Sequence, residues 1–223
     1  MSKVYIFFAT GFEEIEALAT VDLLRRAQID VATVSVTGDK TVVGSHNIPV
    51  VMDDLFENVD FGTADMIVLP GGGPGTKNLE AFEPLMLEVD EFAKKKAVAA
   101  ICAAPSILGH RGHLKGKKAT CFPGFEKELE GAEFVAQPAV RDGNIITARG
   151  MGASVDFGLE IVSFGVSSVK ASEEDEQMIK EMQREAAYMD PTRAAGALSR
   201  AQAQAMTAAA SNTSAGPAMA FMG

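Results

Sequence analysis

Residues 97–109 read AVAAICAAPSILG, an apolar run that leads to Cys102 and continues through small residues and Pro105. The run before the cysteine has the length and composition of a buried strand, and proline is favoured in the first turn of a helix. Cys102 is therefore predicted to lie on a sharp turn between a strand and a helix. A thiol in that place lies near unpaired N–H groups of the helix, which favour the thiolate.

Strands and helices are predicted to alternate on either side of this turn. An amphipathic helix is indicated by FEEIEALATVDLLRRA, and one long helix by TKNLEAFEPLMLEVDEFAKKK. TVVGSHNIPVVMD and VRDGNIITARG have the pattern of short hairpins. Strands are predicted at 3–9, 30–38, 65–69 and 98–101. This alternation predicts an α/β fold with a mainly parallel sheet and helices on both faces.

Three chemical groups follow three of the predicted strands. Glu16 follows the first strand, the turn LPGGGPG with Gly71 and Gly72 follows the 65–69 strand, and Cys102 follows the 98–101 strand. The carboxyl ends of parallel strands meet at one edge of a sheet, so all three groups are expected in one cleft. The glycine turn lacks the Lys-Ser/Thr of a P-loop and the spacing of a dinucleotide fingerprint. It is better suited to placing backbone N–H groups near a substrate oxygen.

A carboxyl and a thiol in one cleft can share a proton. A charged Glu16 beside a thiolate would be repulsive, so the hypothesis is a protonated Glu16 that donates a hydrogen bond to the Cys102 thiolate. A second interpretation stays open at this point. Cys102 could be a small buried hydrophobe, and Glu16 a solvated residue of an ordinary helix.

The composition indicates one globular domain with an appendage. The chain has 223 residues, 47% of them hydrophobic and 22% charged, and a net charge of −10. This acidic balance, with no basic cluster beyond the lysines at 94–96, argues against nucleic-acid binding. No segment has the run of about 18 apolar residues that a membrane span needs. The start lacks a secretory signal, so the protein is expected to be cytoplasmic with reduced cysteines.

Metal binding is not expected, because His46, His110 and His113 lack the spacing of metal ligands. The chain is divided into a domain at 1–188 and an Ala/Ser/Met/Gly-rich tail at 189–223. The tail is predicted to be flexible because it has little that could build a core. A segment that docks a partner is the alternative.

Six motifs together resemble one known family. They are GFEEIEA, VDLLRRA, IVLPGG, AAICAAP, KKATCFPG and ITARG, in this order and at these separations. The combination is similar to the ThiJ/PfpI (DJ-1) superfamily, and specifically to its branch of small single-domain proteins. The resemblance covers residues 3–170 and extends toward residue 188. It implies a flavodoxin-like three-layer sandwich and a homodimer.

The resemblance also implies roles for individual residues. Cys102 would be the nucleophile and the oxidation-sensitive thiol, and Glu16 its protonated partner. The backbone N–H groups of Gly72 and Ala103 would form the oxyanion site. Activities implied by the family include conversion of methylglyoxal to lactate without a cofactor, repair of early glycation adducts, and chaperone or oxidative-stress roles.

This chain departs from the family pattern at three positions. Ala103 stands where the protease-like branch has a histidine after the cysteine, so peptidase chemistry is not supported. Phe122 replaces a histidine that often lies close to the cysteine, and His46 occurs where an arginine would help to line the site. Gly71, His46 and Phe122 are therefore candidates for the substrate pocket. Without a nearby imidazole, the proton relay would fall to Glu16 alone.

The predicted function is that of a cofactor-independent, cysteine-dependent enzyme acting on small aldehydes, reactive dicarbonyls or early glycation adducts. The alternative is a redox-sensing or chaperone-like protein with an oxidisable cysteine and no significant turnover.

Overall fold

The computed structural model describes residues 3–168. The domain boundary at 188 and the tail at 189–223 lie outside these residues. Helices are α1 (Glu14–Arg26), α2 (Gly73–Glu80), α3 (Glu83–Lys95), α4 (Pro105–His110) and α5 (Ser154–Ser168). Strands are β1 (Lys3–Phe8), β2 (Asp30–Ser35), β3 (Thr41–Val43), β4 (Pro49–Val51), β5 (Asp54–Leu55), β6 (Met66–Leu69), β7 (Ala97–Ile101), β8 (Lys118–Ala119), β9 (Glu133–Phe134), β10 (Ala139–Asp142) and β11 (Ile145–Ala148).

Seven of these strands form one sheet in the order β10-β11-β7-β6-β1-β2-β5. All neighbours in it are parallel except β10 and β11, which pair antiparallel as a hairpin. The strand order changes direction between β1 and β6, because the chain passes from β1 to β2 on one side and returns to β6 on the other. This switch point is where ligands bind in open α/β sheets.

Alternate residues of the central strands point into two separate cores. On β1, Tyr5 and Phe7 pack with residues of α2, α3 and α4 on one face of the sheet. Val4, Ile6 and Phe8 pack on the opposite face with residues of α1 and α5. Both faces are covered, which explains why these strands are apolar throughout instead of alternating with polar residues. The predicted three-layer flavodoxin-like α/β sandwich is confirmed.

The prediction of one helix over 76–96 is wrong. The segment forms two helices, α2 and α3, which are separated at Ala81 and Phe82. Pro84 lies in the first turn of α3, where its missing N–H costs nothing, whereas inside a continuous helix it would break a hydrogen bond. The Phe82 ring packs edge-on against Phe56 at 4.9 Å between centroids, which holds the break in the core.

The two predicted hairpins are present, as β3–β4 and β10–β11. The short strand β5, which extends the sheet beyond β2, was not predicted. Among the described residues, no helix combines the length and the apolar character that crossing a bilayer requires.

Candidate active site

Cys102 directly follows β7 and has a left-handed backbone, with φ at 66°. It shares this conformation with only two other non-glycine residues of the described segment, Gln28 and Asn47. Its N–H donates to Ala148 O at 2.9 Å, and its carbonyl accepts from Phe122 N–H at 2.8 Å. The end of β11 and the segment at Phe122 therefore hold a conformation that costs a non-glycine residue about 1–3 kcal/mol. The predicted sharp turn between strand and helix is present.

Glu16 lies in the first turn of α1 and is only 2% exposed. Its carboxyl interacts with the Cys102 thiol through a hydrogen bond. Gly71 fits between the two groups because it has no side chain. A Cβ on Gly71 would lie 2.5 Å from Cys102 Cβ and still closer to Glu16 Oε2. A glycine at position 71 is therefore a steric condition for the contact between carboxyl and thiol.

Two backbone N–H groups, of Gly72 and Ala103, point to the Cys102 sulfur. Gly72 has φ at 92°, and a Cβ there would lie 2.6 Å from the Glu13 nitrogen. Glycine at this position thus allows the turn to pack against the start of α1. The structure brings together the four residues that sequence analysis proposed for the reaction, which are Cys102, Glu16, Gly72 and Ala103.

The carboxyl and the thiol titrate as a coupled pair. Burial raises the pKa of Glu16 from 4.5 to about 7, while its hydrogen bond to Cys102 and the N–H groups of Gly71 and Met151 act to lower it. Burial and the adjacent Glu16 raise the pKa of Cys102 from 9.0 to about 12, against the N–H groups of Gly72 and Ala103. The pair therefore loses one proton near neutral pH and keeps the other.

The helix position of Cys102 was expected to favour the thiolate. In the structure, burial and Glu16 outweigh the two N–H groups, so the pKa of the thiol is raised. A reactive thiolate must therefore form by transfer of its proton within the pair. The Glu16 carboxyl, with a pKa near the working pH, has the property that a general acid and base needs.

A comparison with family profiles matches residues 2–164 to the DJ-1/PfpI family. The chain belongs to the DJ-1/PfpI family. The match includes β1, α1, the glycine turn and the Cys102 turn, so it covers every residue of the site.

Individual relatives of the DJ-1/PfpI family agree with this assignment. Protein DJ-1 homolog B of Arabidopsis thaliana is 36% identical over 162 residues, which are 72% of this chain but 37% of that protein. The chain thus spans well under half the length of this relative. Glutathione-independent glyoxalase DJ-1 of Schizosaccharomyces pombe is 32% identical over 173 residues, which are 73% of this chain and 90% of that protein.

A solved structure shows the same fold. The C103A mutant of the DJ-1 superfamily protein STM1931 from Salmonella typhimurium superposes with a TM-score of 0.73 at 33% identity. The superposition covers 82% of this chain and 98% of that chain.

Sequence analysis missed the role of Glu13 in this DJ-1/PfpI site. Its side chain caps α1 by accepting the Glu16 N–H at 2.7 Å, and its own N–H donates to Gly71 O at 3.0 Å. Its charge also acts to raise the pKa of Glu16. The sequence signal was an acidic residue three positions before Glu16, the spacing of a helix cap.

Replacing Glu13 by glutamine is expected to make Cys102 react faster at acidic pH. The amide oxygen still caps α1, but the negative charge is gone, so the pair loses its first proton at lower pH. The rate of alkylation of Cys102 by iodoacetamide at pH 6 should rise on the order of threefold. Mass spectrometry of the intact protein across pH 5–9 measures this, with Glu91→Gln, a surface carboxylate, as the control. An unchanged pH profile would contradict the role of Glu13.

Phe122 and Gly150 complete the wall of the cleft. A Cβ on Gly150 would lie 3.2 Å from the Phe122 ring, 3.4 Å from Glu16 Oε1 and 3.8 Å from Cys102 Sγ. The Phe122 ring therefore faces the reactive pair across Gly150. Phe122 is 47% exposed, so it lies where an incoming substrate would meet it. Gly150, in the motif ITARG, was not singled out from sequence.

Unlike Phe122, His46 does not face the reactive pair of Glu16 and Cys102. Its ring Nδ1 lies 2.7 Å from Glu14 Oε2, and its N–H donates to Glu14 Oε1 at 2.7 Å. These contacts hold the pKa of the buried Glu14 carboxyl down at about 2, although burial alone would raise it. The contacts found for His46 run to Glu14 and Ser45 and not to the reactive pair.

Glu13, Glu14 and His46 also place possible metal-ligand atoms within 4.8 Å of one another. Hydrogen bonds already use the Glu14 oxygens, the His46 Nδ1 and one Glu13 oxygen. The group is therefore explained as a tie between α1 and the loop after β3.

Proposed function

We propose that this protein is a cofactor-independent enzyme that converts reactive dicarbonyls to hydroxy acids. One observation supports this above the others: a buried carboxyl with a pKa of about 7 contacts a thiol that faces two backbone N–H groups. The glyoxalase name of the Schizosaccharomyces pombe relative supports the same reaction class.

The reaction begins with proton transfer within the pair. The Cys102 sulfur adds to the aldehyde carbon of methylglyoxal, and its proton passes through Glu16 to the aldehyde oxygen. The N–H groups of Gly72 and Ala103 stabilise the charge that develops on this oxygen. The product of this step is a hemithioacetal on Cys102.

Glu16 then acts as base and as acid in turn. Its carboxylate removes the proton from the former aldehyde carbon, and the resulting acid returns a proton to the neighbouring carbon, which gives a lactoyl thioester. Water cleaves the bond between carbon and sulfur, releasing lactate and restoring the thiol. The net reaction consumes methylglyoxal and water and yields lactate and a proton. Early glycation adducts carry the same carbonyl chemistry and belong to the proposed substrate class.

A redox sensor with the same cysteine is less well supported. Oxidation of a cysteine proceeds through the thiolate, and burial together with Glu16 raises the pKa of Cys102, which disfavours that form. The Glu16 carboxyl can instead act as a general base that takes the Cys102 proton when the substrate is bound, which suits a catalytic nucleophile.

Lactate formation from methylglyoxal tests the proposal. Wild-type protein is expected to form lactate about a thousandfold faster than Cys102→Ser, because a serine hydroxyl is a much poorer nucleophile here. Cys121→Ser is the matched control, since Cys121 is fully buried in the core below the site. Equal rates for wild type and Cys102→Ser would refute the proposal.

The proposed enzyme is a homodimer, as the family resemblance implies. Exposed apolar side chains on neighbouring segments support this. Ile15 of α1 is 51% exposed, and Ile48, in the loop that contacts α1 through Gly44 and Glu14, is 50% exposed. Exposed apolar side chains on segments that contact each other are compatible with a surface that a second subunit covers.

A further inference from the structure

A groove of about 660 Å³ lies beside the reactive pair. Ala103, whose N–H points to the Cys102 sulfur, lines it, and so does Gly73, which directly follows Gly72. The groove therefore includes one of the two residues of the proposed oxyanion site, Ala103, and begins one residue from the other, Gly72. Methylglyoxal consists of the two adjacent carbonyl groups and one methyl group. It is therefore too small to fill the groove when its aldehyde carbon is at Cys102.

The inner wall of the groove is apolar. Pro74 and Phe125 are the largest apolar residues that line it, together with the small residues Gly73, Ala103 and Gly124. Phe125 is half-buried and packs against the main core, so its ring is held in place. Ser106 also lines the groove, but its hydroxyl already donates to Ala103 O at 2.7 Å.

Most of the charged residues that line the groove are hydrogen-bonded to one another. His110 bridges two carboxylates, with Nδ1 2.6 Å from Glu80 Oε1 and Nε2 2.9 Å from Glu128 Oε2. This bridge ties the end of α2 to the 3-10 turn at Glu126–Glu128, and Lys77 lies exposed at the rim. Thr76 also lines the groove, and its buried Oγ1 has no hydrogen-bond partner among the described residues. The remaining lining of the groove offers mainly apolar contacts.

We propose that this groove binds the aromatic or bulky apolar substituent of a larger α-oxoaldehyde, with the substituent against Phe125. This inference rests on the proposed function and narrows its substrate class. The chemistry at Cys102 is unchanged: phenylglyoxal and water yield mandelate and a proton by the same steps as methylglyoxal yields lactate. A groove of this size buries most of an aromatic ring, which is the main source of affinity in apolar pockets.

Gly73 offers a way to fill the groove without strain. It is the exposed first residue of α2, and a Cβ added to it would meet no atom within 4 Å. Gly73→Leu should therefore fold normally and add an isobutyl group at a residue that lines the groove, while Gly73→Ala adds only a methyl group and serves as the matched control.

Two ratios, measured on the full chain, test the inference. The first is kcat/KM for phenylglyoxal divided by that for methylglyoxal. The second is the rate of Cys102 labelling by N-phenylmaleimide divided by that by N-methylmaleimide, which needs no turnover. Gly73→Leu is expected to lower both ratios about tenfold relative to wild type, and Gly73→Ala less than threefold.

The labelling ratio separates this inference from the proposed function. If wild type turns over neither dicarbonyl but Gly73→Leu lowers the labelling ratio, the proposed function fails and the groove inference stands. If Gly73→Leu leaves the labelling ratio at the wild-type value, the groove inference is overturned, whatever the turnover.

Discussion

Replacing Gly71 by alanine is expected to lower kcat/KM for methylglyoxal by about a hundredfold or more. The added methyl group would overlap both the Glu16 carboxyl and the Cys102 Cβ, so one of the two must move. Both are buried in a packed cleft, and a displacement of about 1 Å is enough to break the proton transfer between them.

The measurement is steady-state lactate formation together with thermal unfolding. Gly73→Ala, two residues further along the same turn, is the matched control, because its methyl group meets nothing within 4 Å. We expect the alkylation of Cys102 in Gly71→Ala to lose its inflection near pH 7, since the thiol is separated from Glu16. A folded Gly71→Ala protein with wild-type kcat/KM would show that the contact is not required.

Replacing Glu16 by glutamine is expected to lower turnover by about a hundredfold to ten-thousandfold, while the protein becomes more stable at neutral and basic pH. Turnover falls because the amide neither accepts the thiol proton nor moves a proton between the substrate carbons. Glutamine has nearly the same shape, so the loss can be attributed to the proton and not to packing.

The stability effect follows from the raised pKa of Glu16. The folded protein holds the carboxyl proton up to about pH 7, whereas the unfolded chain releases it near pH 4.5. Stability from this group is therefore complete below pH 4.5 and is lost as the pH rises to 7, by about 3 kcal/mol in total. Oε2 of Glu16 is buried without a hydrogen-bond partner among the described residues, which is consistent with this cost of ionisation.

Chemical denaturation of wild type and Glu16→Gln at pH 5 and pH 8 measures the difference. Titrating groups other than Glu16 and its partner Cys102 are common to both proteins and cancel. The advantage of Glu16→Gln should be small at pH 5 and larger at pH 8. An advantage that does not change with pH would mean that Glu16 does not titrate in this range.

The sequence predicted the central strands and the Cys102 turn because both depend on local patterns. Apolar runs of strand length followed by a glycine turn or by Pro105 leave few alternatives in a parallel sheet. The helix break at Ala81 was missed because the apolar spacing continues across it, and only Pro84 signalled a new start.

The finer properties of the site could not be predicted from sequence because they depend on contacts between distant segments. The pKa of Glu16 is set by burial beneath loops that are far apart in the chain, and the pairing of His46 with Glu14 requires the loop after β3 to reach α1. His110 is exposed, and it bridges Glu80 and Glu128, each in a different element. No spacing rule connects such residues.

The left-handed backbone of Cys102 lowers the thermal stability of the protein, although the reactivity of the site depends on this residue. Glycine would adopt φ at 66° without cost, and an uncharged side chain at position 16 would remove the burden of a buried carboxylate. Directed evolution that selected for thermal stability alone would therefore enrich glycine at position 102 and glutamine at position 16. These changes would raise the stability of the fold and abolish the reaction at the site. A more thermostable variant of this protein should therefore keep Cys102 and Glu16 and take its stabilising substitutions from other positions.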